Sequence, residues 1–222
     1  MRLRTPLTLL LMCGVLMSIT QSAAHDGRGG LTLEPRLSPR ALSLGETGLT
    51  ETGHAAGFAT NAACLAAATS TQLAASYGDL VEGVSASVAS AAIVVPIGTP
   101  IEYGEGDPVV RRFALGIGID HRGIELAQGS SWSSETVSLG FAWNATTYAS
   151  LGVLSKLIFT GSDIEDAGAK GFGFDIGSRA ALHPRLDLAL VVRNLVASTG
   201  WDDGEDETPP FTLNFGASVR LV

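Results

Sequence analysis

The stretch Gly171 to Ala181, GFGFDIGSRAA, alternates between two chemistries with a period of two. Phe172, Phe174, Ile176, Ser178 and Ala180 form one set, and Gly171, Gly173, Asp175, Gly177 and Arg179 form the other. That period belongs to a β-strand, whose successive side chains point to opposite faces. One face is largely apolar, and the other carries small or charged residues that an ordinary hydrophobic core does not accept in a row. In a soluble sandwich the apolar set faces the core and the polar set faces water. In a membrane barrel the apolar set faces lipid and the polar set a wet lumen. The alternation by itself leaves both open.

The N-terminus bears on that choice. Met1 to Arg4 is basic, Leu7 to Ile19 is apolar, and Ser22, Ala23 and Ala24 supply small residues where a secretory signal peptide is cleaved. Residues 1–24 are therefore expected to be a signal peptide and the mature chain to start near His25. Cys13 is not in a lipidation context, because the bulky Met12 precedes it and the apolar run continues beyond it. No later segment supplies the roughly 20 consecutive apolar residues of a membrane helix. Loss of the leader leaves Cys64 as the one cysteine, so an internal disulfide is excluded in an exported protein. It also removes Arg2 and Arg4, leaving 12 basic against 22 acidic residues and a net charge of −10. Such an acidic chain is disfavoured as a nucleic-acid binder, which needs a basic surface for the phosphates. With 27 glycines and little helix-length periodicity, the composition points to one all-β domain.

Along the chain, residues 25–40 read as a flexible lead. Residues 41–66 are rich in Gly, Ala and Thr and too irregular for one strand, as expected of a compact segment packed inside something. From residue 67 onward the pattern predicts eight strands, over about 71–77, 85–97, 110–121, 134–143, 147–160, 169–181, 185–196 and 210–221. Phe113, Leu115, Ile117 and Ile119 oppose Arg112, Ala114, Gly116, Gly118 and Asp120. Phe211, Leu213, Phe215, Ala217, Val219 and Leu221 oppose Thr212, Asn214, Gly216, Ser218 and Arg220. Several strands reach about ten residues, the length a tilted strand needs to cross a bilayer. Connections alternate between tight (144–146, 183–184) and long (122–133, 161–168, 197–209), as periplasmic turns and outer loops do. The long connection 98–108 falls on the short-turn side and breaks the alternation.

These segments resemble the PorV/PorQ family of outer-membrane proteins, a branch of the FadL-like barrels. Ala41 to Ala66 resembles the family's N-terminal segment and its Trp-Asn-Pro-Ala-Gly-Leu-type motif, matched here by Asn61, Ala63 and Leu65, with Thr60, Ala62 and Cys64 departing from it. Gly171, Phe172, Gly173, Asp175 and Gly177 match its Gly-Phe-Gly-x-Asp-x-Gly turn, and Val192 to Leu195, Trp201, Asp202 and the 209–220 strand resemble the next hairpin. The resemblance implies a FadL/PorV-like antiparallel meander transmembrane β-barrel of about fourteen strands, with the N-terminal segment as a plug in the lumen. It implies a role in transport or in type IX-like protein secretion, with secretion-system proteins or exported cargo as partners, or FadL-like uptake of hydrophobic small molecules. This chain supplies eight strands and ends in Val222, not an aromatic residue, so an incomplete barrel is expected. A secreted soluble β-sandwich or adhesin is the alternative.

No catalytic, metal or cofactor site is expected. The glycines from Gly171 lack the spacing and following helix of a dinucleotide loop. The acidic run Asp202 to Glu207 lacks a calcium-loop spacing, and His54, His121 and His183 have no nucleophile placed to partner them. Charges instead recur singly on the small-residue face, giving an expected lumen set of Arg112, Asp120, Lys156, Asp175, Arg179, Asp187, Arg193, Asn214 and Arg220. Centring the turns on Ala145, residues 165–166 and His183 places Phe141 opposite Ala149, Leu139 opposite Leu151, Lys156 opposite Asp175, and Arg179 opposite Asp187. Wet cross-strand ion pairs of that kind contribute about 0.2–1 kcal/mol each. Finally, an eight-stranded barrel is just filled by its own side chains. A plug therefore predicts an open sheet, with unpaired edges near Thr71 and Phe215 and residues 41–65 on its concave face.

Overall fold

The computed structural model describes residues 48–52, 54–79, 85–101, 109–125, 131–163, 167–202, 204 and 206–219. The expected signal peptide, the flexible lead and the start of the plug segment lie outside these residues. The fold is an all-β antiparallel meander. Its strands are β1 (Gln72–Asp79), β2 (Ala86–Ile101), β3 (Val110–Glu125), β4 (Ser131–Asn144), β5 (Ala149–Ser162), β6 (Ala167–His183), β7 (Leu186–Trp201), β8 (Asp206–Glu207) and β9 (Thr212–Val219). They pair in chain order from β1 to β7, and the far edge of β7 is then shared by the short β8 and by β9. Among the described residues no pairing joins β9 back to β1, so the sheet is open.

Alternation sets the two faces. Along β4 every second residue from Trp132 to Asn144 is buried, while Glu135, Val137, Leu139, Phe141 and Trp143 are exposed. The same division runs through β3 and β5, where Leu115, Ile117, Ile119, Leu151, Leu157 and Phe159 point outward. The buried face is the small-residue face, the reverse of a soluble sandwich.

What buries it is the N-terminal segment, through three short 3-10 turns: η1 (Gly48–Thr50), η2 (Ala55–Gly57) and η3 (Ala62–Ala67). The η1 turn touches β7 and β9, η3 lies across β3 to β6, and η2 touches β1 and β2, so the sheet curls around the segment from one edge to the other. Phe58 and Leu65 fill the space over Gly116 and Gly140, and Leu49 packs on Gly216 beside Ala189 and Val191. The closest backbone approach is at Ala62 and Ala63: a Cβ on Gly152 would lie 2.2 Å from the Ala63 nitrogen.

The registers correct the turn centres assumed from sequence. Phe141 pairs with Val153 rather than Ala149, and Leu139 with Ser155 rather than Leu151. The β4–β5 connection spans residues 145–148, where Thr146 Oγ1 accepts hydrogen bonds from the backbone N–H groups of Tyr148 and Ala149. The true centre therefore lies further along the chain. Because the slip is even, each side chain keeps its face. Strands β2, β3, β4, β6 and β7 also run beyond their expected ends, so that Arg122 to Glu125 continue β3 instead of forming loop.

The glycine contacts give a direct expectation. Gly152→Ala must displace the backbone of residues 62–63 and should lower stability by about 1–3 kcal/mol, whereas Gly78→Ala, with nothing within 4 Å of the added Cβ, should stay within about 0.5 kcal/mol. Urea midpoints of the two variants measure the difference.

Candidate functional site

The candidate site is the inner wall and the segment seated on it. Asn61 is extended and caps η3: its Oδ1 accepts from the Ala63 N–H at 3.0 Å. Its Nδ2 donates to the carbonyls of Leu49 at 2.9 Å and Ser178 at 3.2 Å, tying the segment to itself and to β6. Room for that amide exists because residue 177 is glycine, whose absent Cβ would lie 2.1 Å from Asn61 Oδ1. Ala63 and Leu65, the other two motif residues, are buried against the wall, Ala63 at Gly152 and Leu65 over Gly116 and Gly140.

Short turns leave carbonyls without intrahelical donors, and the wall supplies them. Ser150 Oγ donates to the Ala63 carbonyl at 2.9 Å, and Asn144 Nδ2 to that of Ala66 at 2.7 Å. Arg193 donates to the carbonyl of Thr60 at 2.8 Å. The seat is thus both shape-matched and hydrogen-bonded.

A second group of polar residues lies on β5 to β7. Lys156 Nζ is 3.0 Å from Asp175 Oδ1 and donates to Asn194 Oδ1 at 3.2 Å. Asp175 Oδ1 also accepts from the Asn194 N–H at 2.9 Å, and Asn194 Nδ2 donates to the Pro210 carbonyl at 3.1 Å. Asn194 has φ +51°, in the left-handed region where Asn is among the better tolerated residues. It sits where β7 bulges past Asp175, with the register shifting between Phe174 and Ile176. The carboxylate therefore pins an irregularity in the wall as well as pairing with a lysine.

Two sequence expectations are revised here. Lys156 faces Gly173 and Leu154 faces Asp175, so the ion pair is diagonal; Arg179 faces Ala189, and its contact to Asp187 is diagonal too. Nor are both pairs wet. The side chains of Lys156 and Asp175 are 2% and 5% exposed, against 20% for each of Arg179 and Asp187. The wet-pair magnitude applies only to the second, because charges buried together depend far more on each other.

Of the remaining expected residues, Arg112 shares the inward parity but is exposed at its strand end, and Asp120 is half-buried. Asn214 is half-buried and donates to Thr212 Oγ1 at 3.3 Å. Arg220 lies outside the described residues. The buried Arg122 was missed, as were three hydrogen-bonding contributors, Asn144, Ser150 and Asn194. Arg122 and Asn144 had been placed in connections. Parity with Asp120 would have found Arg122, but nothing in the sequence marks the bulge at Asn194. No protein-family model, curated protein or solved structure matches the chain.

Two outcomes test the site. Lys156→Met leaves the Asp175 carboxyl buried without its cation and should cost about 3–5 kcal/mol, most of it restored in Lys156→Met/Asp175→Asn, which removes the charge and keeps an acceptor for the Asn194 N–H; denaturant titration of both variants checks this. Cys64, whose Sγ lies 3.4 Å from the Leu49 carbonyl, has its thiol pushed up to about 12 by burial, with Arg179 opposing and Asp187 reinforcing the shift. At pH 8 it stays protonated as well as enclosed, so a maleimide should label it only after unfolding; prompt labelling of the folded protein would show that the segment leaves its seat.

Proposed function

We propose that this chain is a non-enzymatic outer-membrane barrel component of PorV/PorQ (FadL-like) type, acting in transport or in a protein-secretion assembly. The observation that carries the reading is the outward face. Leu115, Ile117, Ile119, Val137, Leu139, Phe141, Leu151, Leu157, Phe159, Phe172, Ile176, Leu190, Leu213 and Phe215 are all exposed on one continuous sheet surface. A patch of that extent exceeds what monomeric soluble proteins leave to water. On β5 it runs from Leu151 to Phe159, about 27 Å at about 3.4 Å per residue, close to the roughly 25 Å apolar band of outer-membrane barrels.

The borders of the band support the same reading. Trp143 and Tyr148 are exposed at the short-turn end, where interfacial aromatics belong. At the other end the outward residues turn polar, with His121 Nδ1 3.5 Å from Glu135 Oε1 and Lys170 exposed. The buried charges sit on the opposite face, and the expected leader supplies export.

A lipid-facing wall and a water-facing one respond oppositely to charge. Leu139→Arg should cost about 2–4 kcal/mol for folding into bilayers if the residue lies near the midplane, but within about 0.5 kcal/mol if the face is merely solvent-exposed. Fractionation gives the companion result: recovery of the mature chain from the periplasm or medium without detergent would overturn the proposal. Deletion then separates the two roles, since loss of surface cargo marks secretion and impaired uptake of a hydrophobic nutrient marks transport.

A further inference from the structure

The two free edges of the sheet are complementary to each other. One row across the sheet runs from Gln72 through Val94, Gly116, Gly140 and Leu154 to Asp175, and on past the bulge through Arg193 to Thr212. Strand β1 starts at this row and extends only toward the loop end, to Asp79. Strand β9 also starts at it but extends only toward the short-turn end, to Val219. The edges are therefore staggered by the length of one strand. The apolar face drifts the same way: on β5 it runs about equally on both sides of the row, from Leu151 to Phe159, whereas on β7 Leu186, Leu188, Leu190 and Val192 lie on the short-turn side and Leu195 and Val196 lie just past the bulge on the other.

A stagger is what barrel closure requires. Bringing the edges together needs an offset of about eight residues, an even number that keeps outward side chains outward. Over eight strands about 4.8 Å apart, about 27 Å of offset corresponds to a strand tilt of about 35°, at the lower end of the 35–45° of barrels. Chain direction also fits. Every pairing is antiparallel, so β9 runs opposite to β1 and a seam between them continues the meander. Below the start of β1, the bare edge of β2 carries Pro96 and Pro100, which cannot donate a ladder hydrogen bond and restrict pairing on that side to β1.

We infer that β9 pairs with β1 of a second copy of this chain, so that two copies related by a two-fold along the barrel axis close a sixteen-stranded barrel through two identical seams. This rests on the membrane-barrel reading above. The chain does not close on itself because eight strands enclose only their own side chains, whereas here residues 48–52 and 54–68 lie inside. They lie against the wall, with Ala63 at Gly152, and not along a central axis. Sixteen strands enclose an aqueous interior with space for two such segments. In the offset of eight, Phe215 faces Tyr77 on the lipid side, and Gly216 faces Ser76 on the inner side.

Thiol pairing tests the seam. In a Cys64→Ala background, Tyr77→Cys and Phe215→Cys are co-expressed and oxidised in isolated membranes with copper-phenanthroline; directly opposed residues at about 4.5–5.5 Å between Cα atoms lie within disulfide reach. The expected result is a reducible species at twice the chain mass from the mixture and from the double variant, and none from either single variant. A double variant that crosslinks only within one chain would show self-closure, and a self-pairing Phe215→Cys would show that β9 meets the β9 of another copy instead of its β1. Membrane-embedded protein without crosslinks would show that other polypeptide strands occupy the edges. Each of these three overturns the inference. A crosslinked dimer recovered without detergent would instead keep the seam and overturn the membrane reading.

Discussion

The approach of the Ala62–Ala63 backbone to Gly152 is the constraint on which the rest of the structure depends. A peptide chain can lie directly on a β-sheet only where the sheet presents no side chain. Gly116, Gly118, Gly140, Gly152 and Gly177 clear such a strip under Phe58, Asn61, Ala63 and Leu65. With the strip occupied, the inner face is buried with only a few large apolar residues of its own, such as Val94, Leu154 and Ile158. The outer face is released from supplying a core and keeps its leucines, isoleucines and phenylalanines exposed. One close contact thus inverts the usual distribution of chemistry between the two sides of a sheet.

Seating a chain on a wall creates a polar problem as well as a steric one. The carbonyls of Thr60, Ala63 and Ala66 face the sheet, where water does not reach, and an unpaired buried carbonyl costs about 1–3 kcal/mol. Arg193, Ser150 and Asn144 meet that demand from three different strands. The segment is consequently fixed in one register, which apolar packing on glycine alone would not ensure. The Lys156–Asp175–Asn194 group does analogous work within the wall, holding β7 in its bulged path at the level where β9 begins.

Much of this organisation is legible in the residues. Alternation in β3, β5 and β9 assigns faces, because a strand's period of two is independent of what it pairs with. The same alternation identified Lys156, Asp175 and Arg179 as inward residues, and the small-residue composition of 41–66 marked a segment suited to packing inside. An open sheet follows from geometry, since eight strands and an enclosed segment do not fit together.

Register, pairing geometry and burial are different in kind, because they depend on contacts between distant parts of the chain. A turn's length bounds its centre without fixing it, so Phe141 was placed four residues from its true partner while its face was right. Whether Lys156 and Asp175 form a wet pair or a dry one depends on how β5, β6 and β7 enclose them and on the bulge at Asn194, neither of which leaves a local mark. The sequence by itself determined the strands, their faces and the segment meant for the interior, all of which are set by local period and side-chain size. Only the tertiary structure decided which carbonyl each wall residue holds, how the charges meet, and that the two free edges are offset by one strand length, because these are properties of the sheet as a whole.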